Sequence, residues 1–300
     1  MAAVLLLAAL ATASHAFAYA FLYLGSSNGV PRRWDLASLP GGRVPWQIST
    51  AVGGNVIGNR APIDVLTEAF SAWESLDTCA IRFAFQGTRD ERERNAFDRV
   101  NLVTLGASES LGTGVLAAAF LSSDGAGVLN DVDIVFASNV PYTTSAAPEP
   151  DAYDLQSIAT HEIGHLLGLE HSGLARGTMA PFSDRGDVYQ RTPHEDDRIG
   201  GSLLYPDGGF PALGGSRAGR LTLAGSPVFL ANVVAADIDG PIVASAFSRP
   251  DGSYVIDGLP PGVYLVYAEP LDGPVLPANV GGFRSAFGAT PTTGYGTFFH

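Results

Sequence analysis

A chain of 300 residues, 46% hydrophobic and 16% charged, holds enough apolar material for one large or two smaller packed domains and too little charge to stay disordered. Its formal net charge is −13 and all 17 basic residues are arginine, which argues against the basic face that nucleic-acid phosphates require. The single cysteine, Cys79, allows neither an internal disulfide nor a thiolate metal cluster, and its neighbours Ala80 and Ile81 point to a buried thiol.

In chain order, residues 2–13 are almost wholly apolar and are followed by two small-x-small sites, Ala16-Phe17-Ala18 and Ala18-Tyr19-Ala20. Residues 1–20 therefore read as a signal peptide, although no Lys or Arg precedes the apolar run. Phe21, Leu22, Tyr23 and Leu24 prolong that run, so an uncleaved N-terminal anchor, the one route to a membrane contact, is the alternative. Either way the rest of the chain is expected outside the cytoplasm: secreted, periplasmic or on the cell surface. Residues 21–42 are rich in Gly, Pro and Ser and read as a linker.

Residues 44–50 read as a first strand. Pro62 opens a helical pattern in which Leu66, Phe70 and Trp73 share one face. Residues 81–85 alternate as a second strand, residues 88–99 form a charged loop, and residues 100–105, 115–121 and 132–136 supply three more strands. A proline-rich loop leads to a second helix over 154–167, with Asp154 as its N-cap. Thr192, Pro193 and Glu195 form a capping-box pattern for a third helix, which runs to residue 204 and stops before Pro206. Residues 43–208 are thus expected to form an α+β domain with three helices. After Gly208 and Gly209 only short strands remain, at 221–223, 231–236, 242–247, 254–256 and 263–267, separated by Gly/Pro turns. That pattern predicts a small all-β sandwich over 216–270, followed by a Gly/Pro-rich tail over 271–300.

The chemistry concentrates in His161-Glu162-Ile163-Gly164-His165-Leu166-Leu167-Gly168-Leu169-Glu170-His171. His161 and His165 are four apart, so a helix projects both from one face, and two imidazoles so placed can hold one metal ion at about 2.0–2.1 Å each. Glu162 is placed to reach a water on that metal without ligating it. Gly168 permits the sharp turn that returns His171 as a third ligand. Three protein ligands leave a position open for water, the mark of a catalytic rather than a structural Zn²⁺ site. The chain has six His, and three fall in this one window.

The pattern H-E-x-x-H-x-x-G-x-x-H resembles the metzincin signature, and Ser172 after His171 resembles the matrixin branch, the matrix metalloproteinases and their bacterial relatives. Gly177-Thr178-Met179-Ala180-Pro181 is similar to the family's Met-turn, with Met179 as its methionine. The resemblance covers about residues 34–206 and implies a zincin fold, a mixed twisted sheet with three helices. It implies a zinc-dependent endopeptidase that takes protein or peptide substrates, with Glu162 as general base. It also implies a substrate-pairing edge strand at Val115, Leu116 and Ala117, and a pocket wall at Ala180, Pro181 and Phe182 for the residue just after the cleaved bond. Tyr189 is a lesser candidate for oxyanion stabilisation, most tyrosines in such loops being structural.

Two departures from the family stand out. Ala118 and Val135 stand where a second, structural zinc would find His ligands, so one catalytic Zn²⁺ is expected. No cysteine precedes Cys79 to act as a prosegment switch. Asp124, Asp131 and Asp133 offer the oxygen ligands that Ca²⁺ takes and equally read as loop and strand-end residues. Residues 249–264, with Asp251-Gly252-Ser253-Tyr254 and Leu259-Pro260-Pro261-Gly262-Val263-Tyr264, resemble the carboxypeptidase regulatory-like, transthyretin-type sandwich, usually a spacer or binding module. A monomer is expected. The alternative is a catalytically inert or narrowly specific extracellular binding module on a metzincin scaffold.

Overall fold

A computed structural model describes residues 19–24, 29–210 and 214–299. Strand β1 (Val44–Val52) buries Val44, Trp46 and Ile48 at alternate positions, which fixes the face it turns to the core. It pairs in parallel with β2 (Phe83–Arg89) on one side and β3 (Leu102–Leu105) on the other. All four residues of β3 are buried, as a parallel strand covered on both faces should be. The sheet is completed by β4 (Ala117–Ser123) and β5 (Leu129–Phe136), in the order β2-β1-β3-β5-β4. Only β4 is antiparallel, and it forms the outer edge.

Helix α1 (Pro62–Glu74) starts with Pro at its first position and buries Val65, Leu66, Ala69, Phe70 and Trp73 along one stripe. Phe70 stacks on Trp46 of β1 with centroids 4.1 Å apart, and Trp73 Nε1 donates to Thr160 O at 2.9 Å on helix α2 (Leu155–Leu167). Short parallel pairings of Val56–Ile57, Tyr142–Thr143 and Tyr153–Asp154 deliver the chain to the start of α2. Helix α3 (Glu195–Leu204) begins later than the capping-box pattern suggests: His194, not Thr192, is its N-cap, and His194 Nδ1 accepts from Asp196 N at 3.2 Å. Thr192 is engaged elsewhere, its carbonyl accepting from Thr178 Oγ1 at 2.9 Å. Cys79 is buried and donates to Gly201 O, and burial pushes its thiol up to about 11.

The C-terminal part contains β6 (Gly215–Arg220), β7 (Asn232–Asp237), β8 (Ile242–Phe247), β9 (Ser253–Leu259) and β10 (Tyr264–Glu269). Strand β7 pairs antiparallel with both β8 and β10, while β9 pairs with β6, giving two antiparallel sheets. The segment read as a patternless tail holds helix α4 (Gly281–Phe287) and β11 (Phe298–Phe299), which extends the sheet beside β10. The helix is too short for its periodicity to register in sequence, and two of its seven residues are glycine.

Residues 1–18, the bulk of the expected signal peptide, lie outside the described residues. Tyr19, Ala20, Phe21 and Tyr23 are described and buried, although residues 21–42 read as a linker. The alternating aromatics fill a gap between three elements. Leu22 N donates to Gly168 O at 2.8 Å, Tyr23 meets Phe283 of α4 at 5.8 Å, and Tyr19 OH donates to Asp197 of α3 at 2.9 Å. One contiguous hydrophobic core therefore runs from Tyr19 through the five-stranded sheet to Phe283 and Tyr295. Among the described residues no helix is long and apolar enough to cross a membrane.

Candidate metal centre

Helix α2 carries His161, Glu162 and His165, and both of its ends are fixed. At the start, Asp154 accepts from Ser157 N at 2.8 Å, and Arg191 grips the same carboxylate through Nε at 2.9 Å and Nη2 at 2.6 Å. At the end, Gly168 takes φ +104°, where a Cβ would collide with Arg32 O. Leu169 N then closes on Gly164 O at 3.0 Å, and the reversal brings His171 back over the helix.

The three imidazoles converge. Their nearest ligand atoms lie within 4.8 Å of one another, and among the described residues this is the one group of three or more that could hold a metal ion. Each Nδ1 faces a backbone carbonyl: His161 to Thr178 O at 2.8 Å, His165 to Leu169 O at 2.8 Å, and His171 to Asn279 O at 2.5 Å. A carbonyl only accepts, so each Nδ1 carries a proton, and Nε2 is the nitrogen left to face a metal. His165 Nε2 and His171 Nε2 stand 3.2 Å apart, so the two nitrogens converge on one point. Burial, helped by His171, pulls His161 down to about 3 and holds His165 well below the usual imidazole range. Three imidazoles held at Nδ1 with Nε2 turned to a common point are a donor set that Zn²⁺ takes, so the residues fit the ion.

Glu162 is 4% exposed and its Oε2 has no hydrogen-bond partner. Burial pushes its carboxyl up to about 8, against a smaller opposing pull from the Ala119 amide of β4. A buried carboxylate oxygen left without a donor is costly unless something polar occupies the space before it.

Met179 is fully buried beneath the centre, and Gly164 is the reason it fits: a Cβ there would overlap Met179 Sδ. The turn around Met179 hangs on α3. Asp197 accepts from Thr178 N at 2.6 Å and Met179 N at 3.3 Å, while Thr178 O takes Gln190 Nε2 at 3.0 Å besides His161. Burial pushes both Asp196 and Asp197 upward, each opposed by the donors around it.

A cleft of about 530 Å³ opens over the triad. Val115, Leu116 and Ala117 line it; β4 starts at Ala117, and just before it Leu116 O accepts from Ala137 N at 2.9 Å, in the same register as the Ala117–Phe136 pair. Ala180, Pro181 and Phe182 line it too, as do Leu22 and Asn279. Tyr189 does not line the cleft; Arg176 lies over its ring at 4.5 Å. Asp124, Asp131 and Asp133 accept backbone amides, from Val128 at 2.9 Å, Arg99 at 2.7 Å and Leu102 at 3.0 Å. Sequence reading missed Gln190, Asp197 and Asn279. An Asp196-Asp197 pair on a helix destined for burial was a readable signal, whereas Asn279 acts through its backbone and leaves none.

The matrixin family profile matches residues 44–206. Over 124 residues the chain is 36% identical to metalloendoproteinase 1 of Glycine max, an alignment covering 39% of this chain and 36% of that protein. It is 33% identical over 154 residues to human matrix metalloproteinase-15, covering 49% of this chain and 22% of the relative. It is 44% identical over 92 residues to rat matrix metalloproteinase-16, covering 31% and 14% respectively. The chain thus spans little more than a third, or less, of the length of these relatives.

Proposed function

The chain belongs to the matrixin family, and from that premise we propose that it is a secreted zinc endopeptidase in which Glu162 is the general base. The observation that carries the proposal is the pairing of three converging imidazoles, each held at Nδ1 by a backbone carbonyl, with a buried carboxylate oxygen that has no donor. His161, His165 and His171 would hold the ion. When bound, Zn²⁺ supplies a Lewis acid for the scissile carbonyl and makes a water acidic enough to attack near neutral pH. Glu162 Oε2 would take a proton from the attacking water and give it to the departing amine. Its raised proton affinity suits a group that must first take a proton and then give it.

The outer edge of β4 has no strand partner among the described residues and borders the cleft, which supports an extended peptide lying along it as an added strand. Ala180, Pro181 and Phe182, with Ile158 of α2, give the cleft apolar lining away from β4, so an apolar side chain just after the scissile bond is the expected preference. Secretion rests on the apolar N-terminal run. Of its two small-x-small sites, cleavage after Ala18 keeps Tyr19 and its bond to Asp197, whereas cleavage after Ala20 removes both. Residues 216–270 serve as a transthyretin-type sandwich fused to the peptidase.

The test is chelation of the full chain and return of Zn²⁺, with casein and a panel of unrelated unfolded proteins as substrates. Hydrolysis should vanish with the chelator and return at stoichiometric zinc. A zinc-loaded chain that cleaves nothing in the panel would sink the general endopeptidase and leave a narrow or inert module.

A further inference from the structure

The loop that carries the third ligand is held from outside the matrixin-matched segment. His171 Nδ1 donates to Asn279 O at 2.5 Å. Glu170 accepts His171 N at 3.0 Å through Oε1 and Phe283 N of α4 at 3.2 Å through Oε2. Asn232 of β7 donates to Gly173 O at 3.3 Å. Asp196 accepts Ser172 Oγ at 2.6 Å and Ser245 N of β8 at 2.6 Å, tying the same loop to a second C-terminal strand. Each residue from Glu170 to Gly173 is thus tied, directly or through Asp196, to residues beyond 230.

The approach is close enough to demand glycine on both sides. A Cβ at Gly282 would overlap Glu170 Oε2, and one at Gly173 would overlap Asn232 Oδ1. Asn279 is itself fixed: its N donates to Leu276 O at 2.9 Å and its Oδ1 accepts Leu276 N at 2.8 Å, a closed turn that presents the carbonyl to His171. Val280 and Phe283, both fully buried, anchor the chain on the C-terminal side of this turn. Orienting a ligand imidazole through its second nitrogen fixes the tautomer and raises its basicity toward the metal.

We propose that the C-terminal unit is part of the metal centre, and that the Leu276–Asn279 turn is a positioning element that sets the orientation and tautomer of His171. This rests on the zinc reading above and adds that residues 276–283 govern how tightly the ion is held.

The test compares apparent zinc affinity, by competition with a chromophoric chelator, in full-length parent, Asn279→Ala, Asn279→Asp and Ile256→Ala. Asn279→Ala removes the Oδ1 acceptor that closes the turn and leaves the imidazole untouched. Asn279→Asp restores an acceptor. Ile256→Ala opens a cavity at a buried position of β9, which pairs with β6, and controls for general destabilisation. Asn279→Ala should bind zinc about 10- to 100-fold more weakly, with Asn279→Asp and Ile256→Ala near the parent. Parent-like affinity in Asn279→Ala, or an equal loss in Ile256→Ala, overturns the proposal. A parent that binds no zinc overturns the functional reading instead.

Discussion

His161 and His165 make the same bond as His171, from Nδ1 to a backbone carbonyl, yet their partners differ in origin. Thr178 and Leu169 lie within 17 residues of the imidazoles they hold, whereas Asn279 lies 108 residues from His171. The helix ligands are therefore set by local structure, by the caps of α2 and the turn around Met179. The third ligand is set by the packing of a separate unit. An ion at this centre would report on the integrity of both parts of the chain at once.

The contrast is tested hardest at the start of α2. Arg191→Ala leaves the buried Asp154 carboxylate without its bidentate partner, and a broken buried pair of this kind costs about 3 kcal/mol. Urea unfolding of the full chain should show that loss, and a cost within error of zero would mean that α2 is anchored elsewhere. A smaller and sign-sensitive test lies at Gly164. Helix propensity alone makes Gly164→Ala stabilising by up to about 1 kcal/mol. The overlap with Met179 Sδ predicts the reverse, a loss of about 1–3 kcal/mol from overpacking. A raised thermal midpoint would contradict the close packing of α2 on the Met179 turn.

The smallest effect concerns pH. Burial raises Asp196 above its unfolded value of about 3.9, so between that value and the folded one the native state holds more protons than the unfolded state. The stability it contributes is present below the unfolded value and lost as pH rises through the folded one. Asp196→Asn should therefore gain in thermal midpoint relative to the parent as pH climbs from about 4. A constant difference across that range would place the proton elsewhere.

Much of the centre was legible because its spacing obeys helix geometry. Residues 161, 162 and 165 share one helix, Gly168 must break it, and Met179 is the one internal methionine. The strands at 132–136 and 242–247 were legible because they are dense in β-branched and aromatic residues. The rest failed on non-local grounds. Tyr19, Phe21 and Tyr23 look like an extension of an apolar leader, and only a tertiary gap explains their burial. Thr192 satisfies every local rule for a cap and is outcompeted by the demand of Thr178 on its carbonyl. Asn279 works through a carbonyl that every residue has, so no side-chain pattern can announce it.

The central claim is that Glu162 is the base beside a metal that the three histidines hold without it. Zinc content and casein hydrolysis of the full chain, measured beside Glu162→Ala, test it most directly. The account predicts one zinc per chain in both proteins, with hydrolysis in the variant lower by about 10²- to 10⁴-fold. One zinc in both with undiminished hydrolysis by the variant would remove Glu162 from the mechanism, and no zinc in either folded protein would contradict the centre itself.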